Sequence, residues 1–180
     1  MDKNMFKSRI VIPCRFAYIN CWRPSVQYGG IQKYSVSALI SKEDIDTINK
    51  IEEVIEHVKE QSVQKWGGRI PANIRLPLHD GDVEKPDNPI FQNCYYLNAK
   101  SKDAPQVVDR NVHPITNQTE IYSGCYGNIS ITLYGYNFSG TKGIAAWLGN
   151  IQKIRDGEPF GRRIVATDDF EPIGGEDFLQ

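Results

Sequence analysis

Alternating apolar and polar side chains predict that much of this chain is β-structure. The segment KYSVSALI (33–40) places Tyr34, Val36, Ala38 and Ile40 on one face and polar residues on the other, which is the two-residue period of a half-buried strand. Segments rich in β-branched and aromatic residues predict further strands at 9–22, 94–101, 106–111, 126–137 and 143–154.

A longer period predicts one helix, at about residues 42–66. Ser41, followed three residues later by Asp44, is typical of a capping box at the amino end. Gly67 can end the helix in a left-handed conformation. Apolar side chains recur at three- and four-residue steps, at Ile45, Ile48, Ile51, Ile55 and Val58. The pattern therefore predicts a single amphipathic helix among the strands.

Between this helix and the next strand lies a long loop excursion, residues 69–93. It is rich in proline and shows little periodicity, and loops of this length are often functional. One helix among about five strands, joined by turns such as the glycine-containing hairpin at 139–143, predicts a small closed or partly open β-barrel.

The strand predicted at 126–137 has an unusual outward face. Ile129, Ile131 and Leu133 occupy the alternate positions that point into a core. The other face carries no charge but three tyrosines, and it consists of Tyr126, Asn128, Ser130, Thr132, Tyr134 and Tyr136. Two interpretations stay open: cross-strand tyrosine pairs that stabilise the sheet, or rings on which the bases of a single-stranded nucleic acid stack.

Basic residues on the other predicted strands favour the second interpretation. Lys33 and Lys100 fall on polar strand faces, the latter with Tyr96, and Arg15 lies near the first strand. Cationic side chains in these positions would contact phosphates and release counterions.

The three tryptophans divide differently. Trp22 and Trp66 lie near the ends of predicted elements, where either packing or base stacking is plausible. Trp147 lies within the predicted closing strand, and we expect it to pack.

The net charge of −1 hides an asymmetry between the body of the chain and its end. The last seventeen residues carry five acids and no base, so residues 1–163 hold 21 bases and 22 − 5 = 17 acids. A tail at 164–180 with proline and glycine is predicted to be disordered. Its acidic and aromatic residues are Asp168, Asp169, Phe170, Glu171, Glu176, Asp177 and Phe178. Negative charge beside stackable rings imitates single-stranded DNA, so we expect the tail to compete with DNA for the basic surface.

Several function classes lack their sequence signals. No stretch approaches about 18 uninterrupted apolar residues and the amino end lacks a signal-peptide pattern, so no membrane association and a cytoplasmic location are expected. Four cysteines without a C-x-x-C pair argue against a zinc site. No phosphate-binding G-x-x-x-x-G-K-[ST] loop is present, and no cofactor is expected.

Two alternative functions stay open. The first is a metal-dependent nuclease, because His79, Asp80, Asp82, Asp109 and His113 carry ligand atoms that suit magnesium or manganese. Asp-Gly is also a common turn signal, which favours a plain loop at 80–81. The second is a small virion component that binds only protein, which predicts no affinity for oligonucleotides at low salt.

Four blocks of the chain resemble a family of bacteriophage and prophage proteins. They are KWGGRIPANIRLPLHDGD (65–82), VVDRN (107–111), YSGCYGNISI (122–131) and GNIQKIRDGEPFG (149–161). That family, long catalogued as a domain of unknown function, is associated with OB-fold single-stranded-DNA-binding proteins of phage replication. The resemblance covers about residues 8–170 and implies a five-stranded OB barrel, DNA held across its groove and an acidic C-terminal tail.

Together, pattern and resemblance predict a mainly β protein with an OB-fold domain at 1–163 and a flexible acidic tail at 164–180. The predicted function is to coat single-stranded DNA, without sequence preference or catalysis, during phage replication or recombination in the bacterial host. Phage or host replication proteins are expected to meet the tail, and a homodimer is compatible with these features. The predicted DNA contacts are Arg15, Trp22, Lys33, Trp66, Arg69, Arg75, Tyr96, Lys100, Arg110, Tyr126, Asn128, Tyr134, Tyr136 and Lys142.

Overall fold

Seven strands and one long helix make up most of the molecule that the computed structural model describes, which comprises residues 8–26, 28–161 and 166–174. The strands are β1 (Arg9–Val26), β2 (Gln32–Ser41), β3 (Leu78–Asp80), β4 (Cys94–Ser101), β5 (Val107–Val108), β6 (Tyr126–Phe138) and β7 (Thr141–Arg155). The helices are α1 (Ile45–Ser62) and two single turns, α2 (Gly81–Glu84) and α3 (Ala166–Asp169). None of the described helices is long and apolar enough to cross a membrane.

Five of these strands close into a barrel, as the sequence predicted. β1 pairs with β2 and β6, β2 with β4, and β6 with β7, all in antiparallel fashion. A short parallel contact between β4 and β7, at Ala99 with Ala146 and Lys100 with Trp147, joins the two ends of the sheet. Closure satisfies the backbone groups that an open sheet would leave at its edges.

The barrel interior is filled by the apolar positions of the alternating strands. Ile129, Ile131 and Leu133 of β6 are at most 2% exposed, and Val36 and Ala38 of β2 are equally buried. The period-two prediction for both strands is therefore confirmed, and their polar faces point away from the core.

The helix is shorter than predicted and begins at a different cap. Asp44 is the N-cap, and its side chain accepts a hydrogen bond from the Thr47 amide. The Ser41 hydroxyl instead accepts from the Glu43 amide, outside the helix. Ile45, which was assigned to the apolar stripe, is the first residue of α1 and is 62% exposed, whereas Ile48, Ile51, Ile55 and Val58 of the same stripe are buried.

At its carboxyl end, α1 passes into a 3₁₀ turn at Val63–Trp66, and Gly67 closes it with a left-handed φ of 86°. This ending agrees with the predicted role of the glycine. The helix lies against β6 so closely that a Cβ atom at Gly135 would collide with the Ser62 side chain.

The excursion at 69–93 folds back onto the outside of the barrel. Phe91 packs with Ala17, Leu39 and Tyr96 in a second, smaller apolar cluster on the outer face of β1, β2 and β4. Lys42 anchors the same segment, because its ammonium lies 2.7 Å from a carboxylate oxygen of both Asp80 and Asp82. The excursion is thus part of the packed structure.

The end of the chain is described only in part. Residues 166–169 form one helical turn, where the sequence predicted a disordered end, and the Phe170 amide donates to the Ala166 carbonyl. Phe170 is 73% exposed, and Asp169 and Glu171 are exposed as well. The backbone of Asp168 belongs to this turn, whereas Glu176, Asp177 and Phe178 lie outside the described residues.

Candidate nucleic-acid interface

Trp147 is an exposed aromatic residue in the middle of β7, on the outer face of the barrel. Its neighbours Ile144, Ala146 and Leu148 point inward and are buried, whereas Trp147 points outward and is 54% exposed. The expectation that it packs was wrong. The signal was present in the sequence, because alternation in β7 assigns Trp147 to the face opposite its apolar neighbours.

The Trp147 indole is held by Tyr134 on the neighbouring strand. The two rings meet edge to face, with centroids 5.1 Å apart, an arrangement that aromatic pairs favour. Tyr134 is partly buried, and burial raises the pKa of its hydroxyl. The phenol therefore remains neutral at physiological pH and presents no negative charge to a phosphate.

Lysines flank this aromatic pair on one side. Lys100 is the direct strand partner of Trp147, and Lys33 and Lys102 line the same hollow of about 450 Å³. We call this region the Trp147 surface and define it by Lys33, Asn98, Lys100, Lys102, Tyr134 and Trp147.

A second hollow adjoins the first at the same two rings. It measures about 590 Å³ and is lined by Lys65, Thr132 and Asn150, together with Asp103. Because Trp147 and Tyr134 line both hollows, the two rings lie between them, and the half-exposed indole borders each hollow. Lys65 and Lys102 were missing from the predicted contacts because they follow a helix and a strand rather than lying on an alternating face.

Three other predicted residues gather at a different place, where β6 begins. The Arg15 guanidinium lies 5.1 Å from the ring centre of Tyr126, and that of Arg155 lies 3.7 Å from it. Arg15 also donates to the carbonyls of Gly124 and Glu158. Asn128, the third predicted residue here, donates to the Gln152 side chain.

This second cluster borders an apolar hollow of about 680 Å³ that includes Ile90 and Phe160. Tyr126 and Tyr134 share the outer face of β6, but they are eight positions apart along the strand, a distance of roughly 26 Å. The structure therefore does not bring Arg15, Tyr126 and Asn128 together with the Trp147 surface in one hollow.

A third group of predicted residues lies beside the β6–β7 hairpin and consists of Trp66, Arg75, Tyr136 and Lys142. Trp66 is 1% exposed and its indole N–H donates to the Tyr136 carbonyl, so it has no free face for a base, contrary to the prediction. The Lys142 ammonium donates to the Trp66 carbonyl. The backbone of Arg75 pairs with that of β7 on either side of Gly143, which leaves the Arg75 side chain exposed.

Tyr96 is a predicted DNA contact that the structure buries. It is 5% exposed because His79 and Phe91 cover its ring, at centroid distances of 5.0 and 4.7 Å, so its predicted access to DNA is also contradicted.

The remaining predicted contacts are scattered. Trp22 packs against the core and donates to the Gln118 carbonyl. Arg69 and Arg110 are exposed but do not line either hollow of the Trp147 surface.

The residues considered for a nuclease have other partners. Asp80 and Asp82 bind Lys42, and this hydrogen bond lowers the pKa of both carboxyl groups. His79 lies 2.8 Å from Glu84, and Asp109 accepts hydrogen bonds from the amides of Asn111 and His113 within its own loop. Among the described residues, no three metal-ligating side chains come close enough to hold an ion.

Comparison with known proteins identifies the family. The model of the family described as Enterobacter phage Enc34, ssDNA-binding protein, matches residues 8–179. The chain belongs to this family. It is also 34% identical, over 171 residues, to protein p50 of Acyrthosiphon pisum secondary endosymbiont phage 1; the match covers 88% of this chain and 90% of p50.

Solved structures agree with this assignment. The single-stranded DNA-binding protein of bacteriophage Enc34, solved in complex with ssDNA, superposes with a TM-score of 0.75 and 30% identity, over 86% of this chain and 90% of that one. The single-stranded DNA-binding protein gp2.5 of bacteriophage T7 superposes with a TM-score of 0.63 over 89% and 99% of the two chains. At 13% identity, gp2.5 shows only that the fold is shared.

Proposed function

We propose that this protein binds single-stranded DNA, without sequence preference, through the Trp147 surface. The observation that carries the proposal is the exposed Trp147 indole, fixed against Tyr134 and next to Lys100 on the adjoining strand. Every base has a flat π face, so stacking on the indole is available to any sequence. In duplex DNA the bases are already stacked on one another, so they are not available to stack on the indole. We therefore expect much weaker binding to duplex DNA than to single strands.

The lysines supply the second part of the affinity. Lys33, Lys100 and Lys102 line the hollow beside Trp147 and are placed to neutralise phosphates, with release of condensed counterions. Membership of the Enc34 family supports the proposal, since a relative in that family has been solved with ssDNA. The role that fits is non-catalytic coating of ssDNA during phage replication or recombination.

Fluorescence titration tests this function directly. Poly-dT should quench the tryptophan emission, and affinity should fall with salt at a slope of about −0.7 per phosphate contact. A matched duplex should bind much more weakly. The affinity for an RNA of the same sequence will show whether the protein prefers DNA or RNA. Absence of binding to poly-dT at low salt would remove the proposal and leave the virion-component alternative.

The acidic tail is proposed to regulate the same surface. Its acids carry the charge that the lysines of the Trp147 surface attract, so tail and DNA would compete, and a displaced tail would be available to replication proteins. Dimer formation and action in the host cytoplasm remain predictions of the same proposal.

A further inference from the structure

A second exposed aromatic residue lies on the barrel, at an irregular point of β1. Tyr18 is 53% exposed and has a φ of 49°, in the left-handed region that non-glycine residues seldom adopt. The pairing of β1 with β2 shifts register between Ala17 and Asn20, so the strand bulges here. The conformation is held because the Asn20 side chain donates to the Tyr18 carbonyl and the Ile19 amide donates to Ser123.

The Tyr18 ring is supported from below. It lies nearly parallel to Phe91, with an angle of 16° between the rings and centroids 6.0 Å apart. The Asn88 side chain donates to the Tyr18 hydroxyl at 3.1 Å. Because Phe91 is buried and Tyr18 is half exposed, the supported ring leaves its other side to solvent. A ring that is held in place in this way loses little conformational entropy when a base stacks on it.

A continuous polar row connects Tyr18 to the Trp147 surface. Trp147 pairs with Lys100, Lys100 with Ser35, and Ser35 with Asn20, which places the four residues side by side on four adjacent strands. The three inter-strand steps from Trp147 to Asn20 amount to roughly 14 Å, and the Asn20 side chain at the end of the row donates to the Tyr18 carbonyl. The adjoining outward pair, Ser37 and Asn98, is also uncharged and is hydrogen-bonded at 2.6 Å.

We propose that Tyr18 is a second base-stacking platform and that bound ssDNA crosses the strands from Trp147 to Tyr18 along this row. The inference rests on the proposed function and extends it, since it gives the path of the DNA and one further contact. The row carries a lysine and no carboxylate, so a phosphate backbone meets no repulsion between the two rings. The hydroxyl and amide groups of Asn20, Ser35 and Asn98 are suited to hydrogen bonds with phosphate or base edges.

Two substitutions at one position separate the ring from its structural role. Tyr18→Leu keeps an apolar cover over Phe91 but removes the π face, whereas Tyr18→Phe keeps the ring and removes only the hydroxyl. Binding is measured with an oligonucleotide of about 12 thymidines, within the site sizes of OB folds, alongside Trp147→Ala. Thermal unfolding of each variant verifies that it is folded.

We expect Tyr18→Leu to bind about five- to a hundredfold more weakly, which is the loss of one stacked base. Tyr18→Phe should retain most of the affinity, because it keeps the ring and its contact with Phe91 and loses only the hydrogen bond from Asn88. Equal affinity of Tyr18→Leu and wild type, with Trp147→Ala weakened, would overturn the second platform and leave the proposed function standing. Failure of the wild type to bind would overturn both.

Photo-crosslinking of the wild-type protein provides a test that needs no variant to fold. Oligothymidine carrying 5-iodouracil at successive positions is irradiated, and the crosslinked peptides are identified by mass spectrometry. Crosslinks at both Trp147 and Tyr18 support the path. Crosslinks at Trp147 with none at Tyr18 from any position of the label would contradict it.

Discussion

At the scale of single residues, solvent exposure separates the aromatic side chains that can contact a ligand from those that stabilise the fold. Trp66 and Trp147 are the same residue type, yet one is 1% exposed and donates its N–H to a backbone carbonyl, and the other is 54% exposed. A buried indole gives packing energy to the fold, and an exposed one leaves a large apolar surface available to a ligand. Their substitutions should therefore have different effects.

Replacing Trp147 with alanine should weaken binding to poly-dT by about five- to a hundredfold, because one stacking contact is worth roughly 1–3 kcal/mol. The melting temperature should change little, since the side chain lies outside the core. Trp147→Phe is the matched control and should retain part of the affinity because it keeps a smaller ring. An alanine variant with unchanged affinity would exclude the indole from the interface.

At the scale of elements, the parallel contact between β4 and β7 is what creates the candidate site. It places Lys100 beside Trp147, although the two residues lie far apart in sequence. The loop excursion makes a residue of the same sheet inaccessible, because its Phe91 and His79 cover Tyr96. Which side chains of a polar face remain available is thus decided by the elements that pack on it.

The helix cap gives a prediction at this scale. Asp44→Ala should lower the free energy of unfolding by about 1 kcal/mol, because the Asp44 carboxylate satisfies the Thr47 amide in the first turn. Ser41→Ala is the control and should have the smaller effect, since its hydroxyl bonds to Glu43 ahead of the helix. Chemical denaturation of both variants would test the assignment, and a larger loss at Ser41 would contradict it.

The Lys42 clamp, which is the pair of salt bridges from Lys42 to Asp80 and Asp82, predicts that the stability of the protein depends on pH. Its ammonium lowers the pKa of Asp80 and Asp82 below 3.8, and a lowered pKa in the folded state adds stability above the unfolded value. That contribution is lost as the pH falls through the folded pKa values, so wild-type stability should decline below about pH 4. In Lys42→Met, which lacks the charge, urea denaturation should show a shallower decline; an identical profile would show that the clamp contributes nothing.

At the scale of the whole molecule, charge is divided between the barrel and the end of the chain. Lysines line both hollows beside Trp147, whereas the last seventeen residues carry five acids and no base. Attraction between opposite charges acts over about 10 Å at 0.1 M salt and more weakly as salt rises. We therefore propose that a tail of this composition reduces DNA affinity without changing the fold.

Removal of residues 165–180 should tighten binding to oligothymidine, most strongly at low salt, where the charge of the tail is least screened. A chain of full length with the acids changed to amides is the control for tail length, and it should bind like the truncated form. The acids are Asp168, Asp169, Glu171, Glu176 and Asp177. A truncated protein that binds no more tightly than the full chain would remove the competition.

The sequence by itself determined the local structure of the protein and its family. Alternation fixed which sides of β2 and β6 face the core, because side-chain direction in a strand depends only on the local backbone. Apolar residues at three- and four-residue steps predicted the helix, and Gly67 predicted where it ends. The N-cap was assigned to Ser41, whereas the structure shows that it is Asp44. The four sequence blocks indicated the family to which the chain belongs, and with it the barrel.

Only the tertiary structure decided which outward-facing residues form a site. Trp66 and Tyr96 were predicted to face DNA, but Trp66 is buried against β6 and Tyr96 is buried under the excursion. Trp147 was predicted to pack, although the alternation of β7 already points it outward, where it is 54% exposed. Arg15 and Tyr126 lie on a correct outward face but about 26 Å of strand from Tyr134. The burial of Trp66 and Tyr96, and the position of Lys100 beside Trp147, depend on contacts between distant segments, which periodicity along the chain does not record.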